Sequence, residues 1–247
     1  MRTGLSSAVA PEASLSALID GATRHGLTTL ELRAGDRHGV SSLMARDPAA
    51  LAGIMANARE AQVAISGYRD LGHDDCDALV ILARTLGTSI LVAMDAPLDE
   101  RLARADRLRL AGATVAVVVR GEDAAVEAQR VARCGHAVAW DATPVDGGLG
   151  AQAAAMIEAC GGGLRHVGVA GGGPESALHE GRGIGELMAR LALARYAGTI
   201  ILAPSDPSYH LLWERWLARP HGWGCGSHAS DATLVTLDQP APIGGAA

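Results

Sequence analysis

The 247-residue sequence contains neither lysine nor phenylalanine. All 21 basic residues are therefore arginines, which excludes a lysine Schiff base and a lysine general base. The four cysteines are Cys76, Cys134, Cys160 and Cys225. They form no C-x-x-C pair, which argues against a zinc or dithiol centre, and their apolar surroundings predict buried free thiols.

Long apolar runs and an excess of positive charge are also missing. No stretch approaches the ~20 apolar residues of a membrane span, and the first residues lack the apolar core of a signal peptide. We therefore expect a cytoplasmic protein with no membrane partner. The formal net charge of -6 is opposite to the basic face that general nucleic-acid binders require, so no nucleic-acid partner is expected.

What the sequence does contain is an eightfold alternation of short apolar runs with amphipathic segments. The candidate strands cover residues 5–10, 28–33, 62–67, 89–94, 114–120, 136–141, 164–170 and 199–203. The candidate helices cover residues 14–25, 47–60, 74–86, 98–111, 122–134, 148–160, 184–196 and 208–218. Strict βα alternation requires parallel strands with right-handed crossovers, and eight such units predict a single-domain (β/α)₈ TIM barrel over residues 1–219. A doubly wound open sheet is the alternative.

Local signals support this division of the chain. Asp47 before Pro48 is typical of a helix N-cap with proline at the first helical position. Glycines that indicate helix ends follow four of the helical segments, at Gly26, Gly87, Gly112 and Gly135. Residues 220–247 have no helical period and are rich in Gly, Ser and Pro, which predicts an irregular C-terminal tail and not a second domain.

In such a barrel the reactive groups lie at the C-terminal ends of the strands. Period-two alternation places Glu31 and Asp141 on faces that otherwise carry small or apolar residues, and His166 on the equivalent face of the seventh strand. A buried unpaired carboxylate costs several kcal/mol, so each needs a partner or a function. Arg33 and Arg120 are the expected partners. Proton transfer by Asp141, Glu31 and His166 is the functional alternative.

Arginines near the predicted barrel mouth favour a small anionic substrate, because a guanidinium binds carboxylate or phosphate with two hydrogen bonds. Salt bridges to neighbouring acids are the structural alternative. The candidate substrate-binding residues are Arg33, Tyr68, Arg69, Asp95, Arg120, Arg182 and Ser205.

Three stretches resemble a known family. These are RHVGVAGGGPESALHEGRGIGELMARLALARYAGTIILAPS, GATRHGLTTLELR and WDATP. They resemble the sugar phosphate isomerase/epimerase family with the xylose isomerase-like TIM barrel, and within it the hydroxypyruvate isomerase group. The order of βα units agrees over nearly the whole chain. The resemblance implies a TIM barrel whose strand-end residues bind a divalent metal ion.

This sequence departs from the implied metal ligands, which predicts a degenerate metal site. Arg120 stands where the resemblance implies a glutamate, with Glu122 two residues beyond, and Gly168 and Ala203 stand at two further ligand positions. Asp141 alone matches. One hard cation needs several oxygen or imidazole donors, so we predict no cofactor. A displaced divalent-metal site is a disfavoured alternative that would draw on Glu122, His166, Ser205 and Asp206.

The prediction is therefore an isomerase/epimerase-like barrel that works without a metal and moves a proton on a small anionic carbonyl or sugar-like compound. An isomerase, epimerase or lyase would fit this chemistry. A catalytically silent barrel that binds a ligand or a partner protein is the second hypothesis. A metal-dependent sugar isomerase/epimerase is the third, and assembly as a homodimer is kept open.

Overall fold

Eight parallel strands close into one barrel in the order of the chain. The computed structural model describes residues 1–41, 47–143, 148–171, 182–204 and 207–218. The strands are β1 (Arg2–Ser6), β2 (Thr29–Arg33), β3 (Ala64–Asp70), β4 (Ser89–Val92), β5 (Val115–Arg120), β6 (Ala137–Ala142), β7 (Leu164–Gly171) and β8 (Thr199–Pro204). Because β8 pairs in parallel with β1, the sheet has no free edge and the predicted (β/α)₈ fold is confirmed.

Helices follow the strands around the outside of the barrel. They are α1 (Leu15–Arg24), α2 (Pro48–Glu60), α3 (Cys76–Leu86), α4 (Leu98–Leu110), α5 (Ala124–Arg133), α6 (Gly148–Cys160), α7 (Arg182–Leu193) and α8 (His210–Ala218). The Asp47 side chain accepts the Ala50 N–H as the predicted N-cap of α2, and Gly87 ends α3 at φ +64°. Local capping signals therefore located these helix ends correctly.

Strand residues alternate between two apolar layers. The main core lies between the sheet and the helices and includes Leu30, Val117 and Trp140. A smaller cluster fills part of the barrel interior and consists of Leu91, Ala93, Ala116, Val118 and Ala139, from β5, β6, β4 and the residue after β4. The interior of the barrel also receives polar and charged side chains from β2, β3, β6 and β7.

Six strands match their predicted bounds within one or two residues, and β1 and β3 differ by more. β1 covers Arg2–Ser6 and is followed by a 3₁₀ turn over Ser7–Val9, whereas the prediction begins at residue 5 and ends at residue 10. β3 extends to Asp70, three residues beyond the predicted end at residue 67. The extension of β3 matters for the site, because it makes residue 69 a strand residue with its side chain inside the barrel.

Helix α8 packs against α1 through aromatic contacts. Trp213 and Trp216 are buried with their ring centroids 5.7 Å apart, and Trp216 stacks on His25 at 3.5 Å. Arg24 adds a hydrogen bond from Nη2 to the Leu217 carbonyl at 2.6 Å. Through these contacts, both tryptophans pack between α8 and α1 and connect the end of the barrel to its beginning.

The described cysteines are free thiols in different environments. Cys160 is buried, Cys76 is half-buried and Cys134 is exposed, so the expectation of buried thiols is wrong for Cys134. Cys225 lies outside the described residues. Among the described helices, none is both long and apolar enough to cross a bilayer. The predicted tail over residues 220–247 also lies outside the described part of the chain.

Candidate functional site

Four charged or titratable side chains from four strands meet inside the barrel, two of them (Arg69 and Asp141) near the C-terminal ends of their strands and two (Glu31 and His166) deeper in the barrel. Glu31 lies on β2, Arg69 on β3, Asp141 on β6 and His166 on β7. Period-two alternation directs each of them inward, while their chain neighbours face the helices. Hydrogen bonds connect the four into one continuous polar network, which we call the Arg69 network.

Arg69 lies between the two carboxylates. Its Nε donates to Glu31 Oε1 at 2.9 Å, and its Nη1 donates to Asp141 Oδ2 at 2.7 Å. The remaining nitrogen is shared, because Nη2 is 2.8 Å from Asp141 Oδ1 and 3.3 Å from Glu31 Oε2. The planar guanidinium therefore presents one edge to each carboxylate, an arrangement that an ammonium group cannot make.

Glu31 is fully enclosed and has four hydrogen-bond donors around it. In addition to the two from Arg69, Ser6 Oγ donates to Oε1 at 3.2 Å and His166 Nε2 lies 2.9 Å from Oε2. Burial alone would raise the pKa of Glu31, but the Arg69 charge and the His166 hydrogen bond hold that pKa well below its usual range. Glu31 is therefore an ionised acceptor at neutral pH.

This ionised carboxylate determines the tautomer of His166. An ionised carboxylate can only accept, so Nε2 of His166 carries the proton that it donates to Glu31. In the neutral imidazole, Nδ1 is then the nitrogen with a free lone pair. A buried carboxylate that orients a histidine is a common way to present the opposite ring nitrogen for proton transfer.

Asp141 is the more accessible carboxylate of the network. Its side chain retains 24% exposure, compared with 1% for Glu31 and 4% for His166. Gly168 on β7 makes room for it, because a Cβ at that position would lie 2.8 Å from Asp141 Oδ1. A solvent-side molecule that reaches the network would therefore contact Asp141 first.

The positive charge of the network is matched by negative charge within it. Arg69 carries one positive charge and binds two carboxylates, those of Glu31 and Asp141. Arg69 remains charged, because the adjacent Glu31 and Asp141 raise its pKa even though burial would lower it. Its charge is matched within the network, so the centre of the barrel favours hydroxyl donors over a second anion.

The predicted partners of the carboxylates are wrong. We expected Arg33 and Arg120 to pair with Glu31 and Asp141, but Arg69 pairs with both. Arg120 is half-exposed and pairs with the fully exposed Asp95 at 3.0 Å. The side chain of Arg33 is exposed, and its backbone N–H donates to Ser7 Oγ at 2.9 Å.

Other predicted binding residues lie elsewhere. Tyr68 is buried in the layer between the sheet and the helices, since it alternates with the inward Arg69. Burial and the adjacent Asp74 raise the pKa of Tyr68. The side chain of Arg182, the residues Ser205 and Asp206, and most of the glycine-rich loop after β7 lie outside the described part of the structure.

Two residues at the Arg69 network were not predicted correctly: Arg69 was expected in a loop, and Ser6 was not expected at the site. The sequence predicts a loop at Arg69, because the third candidate strand ends at Gly67. A register irregularity between Leu30 and Glu31 places Gly67 opposite Glu31. Gly67 faces inward, since a Cβ there would meet Leu91 and His166. Ser6 belongs to the first candidate strand but not to the predicted site. Its position could have been inferred, because a buried glutamate needs polar neighbours and Ser6 is a polar residue on the adjacent strand.

Two grooves among the described residues lie at the opposite end of the barrel. One of about 280 Å³ is lined by Arg84, Thr88 and Thr114, and one of about 460 Å³ by Arg2, Arg59 and Gln62. Both lie near the N-terminal ends of β3 to β5. Catalytic chemistry in this fold is at the other end, so these grooves are not assigned to the Arg69 network.

The Arg69 network as it stands does not fit the divalent ion that the family resemblance implies. Both carboxylates already bind a fixed positive charge, and Gly168 offers no side-chain donor. Arg120 would add a second positive charge at the rim. In the described ranges, no group of three His, Cys, Asp or Glu side chains is arranged to hold a metal ion.

Comparison with known proteins gives the fold. The sequence matches no protein-family model and no protein of curated function. Solved structures that superpose include D-psicose 3-epimerase from Clostridium cellulolyticum H10, with 15% identity, a TM-score of 0.62, and coverage of 88% of this chain and 94% of that chain. The 3-keto-D-glucoside 4-epimerase from E. coli has 15% identity, a TM-score of 0.58, and coverage of 88% and 98%.

A third structure, the xylose isomerase domain protein from Planctomyces limnophilus, has 11% identity, a TM-score of 0.58, and coverage of 88% of this chain and 93% of that chain. At these identities the likeness concerns the fold. The chain therefore has the architecture of the xylose isomerase-like TIM barrels, among which the superposing structures include epimerases. The expected closeness to hydroxypyruvate isomerase stays a prediction.

Proposed function

We propose that this chain is an isomerase/epimerase-like barrel that moves a proton on a small sugar-like carbonyl compound without a bound metal ion. The observation that carries the proposal is the His166–Glu31 pair beside the partly exposed Asp141, at the end of the barrel where this fold places its chemistry. The chain shares its fold with epimerases, which supports proton transfer on a sugar-like compound, although fold alone does not determine function.

The network supplies the two kinds of group that such a reaction needs. Removal of a proton from a carbon next to a carbonyl requires a base, and its return requires an acid. Asp141 is the accessible carboxylate and His166 the oriented imidazole, so these two residues have the proton-transfer roles. Glu31, which is enclosed and holds His166 at 2.9 Å, acts as the positioning residue.

Arg69 can also stabilise the negative charge that develops on the carbonyl oxygen. A guanidinium has five N–H groups, and four of them donate within the network. The fifth, on Nη1, has no partner among the described residues. A charged donor already held in place is effective toward an oxyanion, because it needs no reorganisation during the reaction.

The charge of the network favours a neutral polyhydroxylated compound over an anion. The Asp141 carboxylate can accept hydrogen bonds from substrate hydroxyls, whereas an anion would meet two carboxylates that already share one guanidinium. The anionic class that the sequence predicted would depend on the rim arginines Arg33 and Arg120. Neutral sugars and small anionic carbonyl compounds should therefore be compared as substrates in the same experiment.

Solvent exchange tests the proposal even while the product is unidentified. Protein treated with a chelator is incubated in D₂O with neutral aldoses and ketoses and, separately, with small keto acids, and deuterium at carbon is followed by NMR. We expect exchange on a neutral sugar, reduced about 10²–10⁴-fold in His166→Gln and Asp141→Asn. Arg109→Ala, a surface variant on α4, is the control. Exchange that requires an added divalent ion contradicts the proposal.

A ligand-binding barrel without turnover is the second candidate. It is favoured by the pairing of both carboxylates with Arg69, which satisfies the network before any substrate arrives. Calorimetric binding of a sugar with no deuterium incorporation would select this candidate. Loss of that binding in Asp141→Asn would place the ligand at the same network.

A further inference from the structure

We propose that the larger groove at the N-terminal end of the barrel binds a phosphate monoester with an apolar body. This groove, called here the Arg2–Arg59 groove, has a volume of about 460 Å³ and is lined by Arg2 of β1, Arg59 of α2 and the residues around Thr88. Such a volume is typical of small-molecule sites in proteins. The site lies at the end of the barrel opposite the Arg69 network and does not depend on the function proposed above.

The lining of the Arg2–Arg59 groove carries positive charge that no carboxylate offsets. Arg2 and Arg59 are both exposed, and neither guanidinium makes an ion pair or a hydrogen bond with a described residue. Among the described residues that line the groove, none is Asp or Glu. Because the whole chain has a formal net charge of -6, the groove has the sign opposite to that of the protein. Its charge therefore favours an anion.

Two guanidiniums favour a dianionic group over a single negative charge. A phosphate monoester carries a charge of about −1.5 to −2 at pH 7 and has three acceptor oxygens. A guanidinium binds two such oxygens through parallel hydrogen bonds. Arg2 begins β1 and Arg59 lies in the last turn of α2, so a ligand bound by both would join these two elements.

The rest of the groove combines apolar side chains with hydrogen-bonding groups that the fold leaves unused. Met55, Val63 and Leu86 contribute apolar surface, which would contact the body of the ligand. Gln62 is exposed, and its amide makes no hydrogen bond with a described residue. This mixture of apolar surface with a few polar groups is what small-molecule sites present.

Thr88 gives an independent indication of a ligand. It is 8% exposed, and its Oγ1 is enclosed without a hydrogen-bond partner among the described residues. It lines both this groove and the neighbouring groove of about 280 Å³, so it lies where the two adjoin. A buried hydroxyl without a partner is unfavourable. An acceptor atom of a ligand that enters between the two grooves would supply the missing partner.

Stabilisation of its own helix is the alternative role for Arg59. A cation in the last turn interacts favourably with the partial negative charge at a helix C-terminus. Arg107 has the equivalent place in the last turn of α4. It is exposed, has no side-chain partner among the described residues and does not line the groove. Arg107→Gln is therefore the matched control, because it removes a helix-end charge away from the groove.

Phenyl phosphate is a suitable probe, because it joins a phosphate monoester to an apolar ring. Inorganic phosphate lacks the ring, benzyl alcohol lacks the charge, and benzoate carries a carboxylate instead of the phosphate. Each probe is titrated by calorimetry at low ionic strength, where screening is weak. The proteins are the native chain, Arg2→Gln, Arg59→Gln, Arg107→Gln and Asp141→Asn, and circular dichroism checks that each variant is folded.

We expect the native protein to bind one equivalent of phenyl phosphate with a Kd below about 1 mM, and backbone NMR shifts to locate the contact at Thr88 and its neighbours. Arg2→Gln and Arg59→Gln should each weaken this binding about tenfold or more, since each removes a charge-assisted hydrogen bond. Arg107→Gln and Asp141→Asn should bind as the native protein does. The other three probes should bind more weakly than phenyl phosphate.

Several results would overturn the proposal. Absence of binding at about 10 mM phenyl phosphate is one, since binding that weak is below the range of specific sites. An equal loss in Arg59→Gln and Arg107→Gln would mean that Arg59 acts only on its helix. Loss of binding in Asp141→Asn would move the ligand to the Arg69 network. Inorganic phosphate, benzoate or benzyl alcohol that binds as tightly as phenyl phosphate would contradict the assigned ligand class.

Discussion

Arg69 binds both oxygens of Asp141, with Nη1 at 2.7 Å from Oδ2 and Nη2 at 2.8 Å from Oδ1. The same side chain holds Glu31 through its other edge, so strands β2, β3 and β6 are joined across the barrel interior by one guanidinium. This link places a permanent positive charge at the centre of the candidate site. It also makes the stability of the barrel depend on that charge.

Arg69→Met should lower the free energy of unfolding by about 3–5 kcal/mol, since it leaves two largely buried carboxylates without their cation. Chemical denaturation at pH 7 measures the loss. The control Arg109→Met removes an exposed pair with Asp106 and should change stability by less than about 1 kcal/mol. Equal, small effects of the two substitutions would show that the Arg69 network does not stabilise the fold.

Glu31 should make the barrel sensitive to acid. Its pKa in the folded protein is held below the ordinary value of 4.5, because Arg69 and His166 outweigh the effect of burial. A depressed carboxyl pKa contributes stability that is fully present above the unfolded pKa and is lost as the pH falls below it. The stability difference between the native protein and Glu31→Gln should therefore be largest near pH 7 and shrink below about pH 4.5.

Urea titrations of both proteins at pH 7, 5, 4 and 3 test this prediction. The comparison with Glu31→Gln removes the contribution of other carboxyl groups, including Asp36, whose pKa is raised by burial. A difference that stays constant over this range, or grows as the pH falls, would mean that Glu31 is not held ionised by the network.

The architecture was predictable because it depends on patterns that repeat. Each strand is a short apolar run, each helix has its own period, and caps such as Asp47 and Gly87 act within a few residues. Helix positions therefore followed from local information. Closure into a barrel followed from eight repeats of the unit, which leave each strand a parallel neighbour on both sides.

The site was predictable only in part, because its partners come from distant strands. Glu31, Asp141 and His166 were identified by their inward positions on the strands. Arg69 lies in a part of β3 that sequence alone assigned to a loop, and a register irregularity beside Glu31 changes which β3 residues lie opposite β2. A shift of one residue turns a side chain to the other face, so Tyr68 and Arg69 could not be assigned to their faces without the register.

His38 should give a second pH dependence, at the turn that follows β2. Its Nε2 lies 3.0 Å from the Arg33 carbonyl and its Nδ1 accepts the Val40 N–H at 3.1 Å, which requires the neutral ring. Burial lowers the pKa of His38 below 6.5. The stability that His38 contributes should be complete above about pH 6.5 and should be lost as the pH falls through its lowered pKa.

The difference in unfolding free energy between the native protein and His38→Gln measures this contribution between pH 8 and pH 5. NMR titration of the ring protons should give a midpoint below 6.5. A midpoint above 6.5, or a stability difference that increases on acidification, would show that the neutral ring is not required at this turn.

Gly168 tests how closely the network is packed. The backbone at residue 168 does not have a positive φ, so it does not require glycine. An added Cβ would, however, lie 2.8 Å from Asp141 Oδ1 and 3.7 Å from Arg69 Nη2. Gly168→Ala should therefore displace the Asp141 carboxylate and cost about 1–3 kcal/mol of stability, which thermal and urea unfolding measure.

The matched control for this substitution is Gly53→Ala, in the middle of α2. Apart from its chain neighbours and the backbone of its own helix, nothing lies within 4 Å of the new Cβ there, so the change should stabilise the protein by about 0.5–1 kcal/mol. Opposite signs for these two identical substitutions would locate the constraint at the contact between Asp141 and Arg69. A stabilising Gly168→Ala would instead mean that Asp141 has room to move and that the network is looser than its distances indicate.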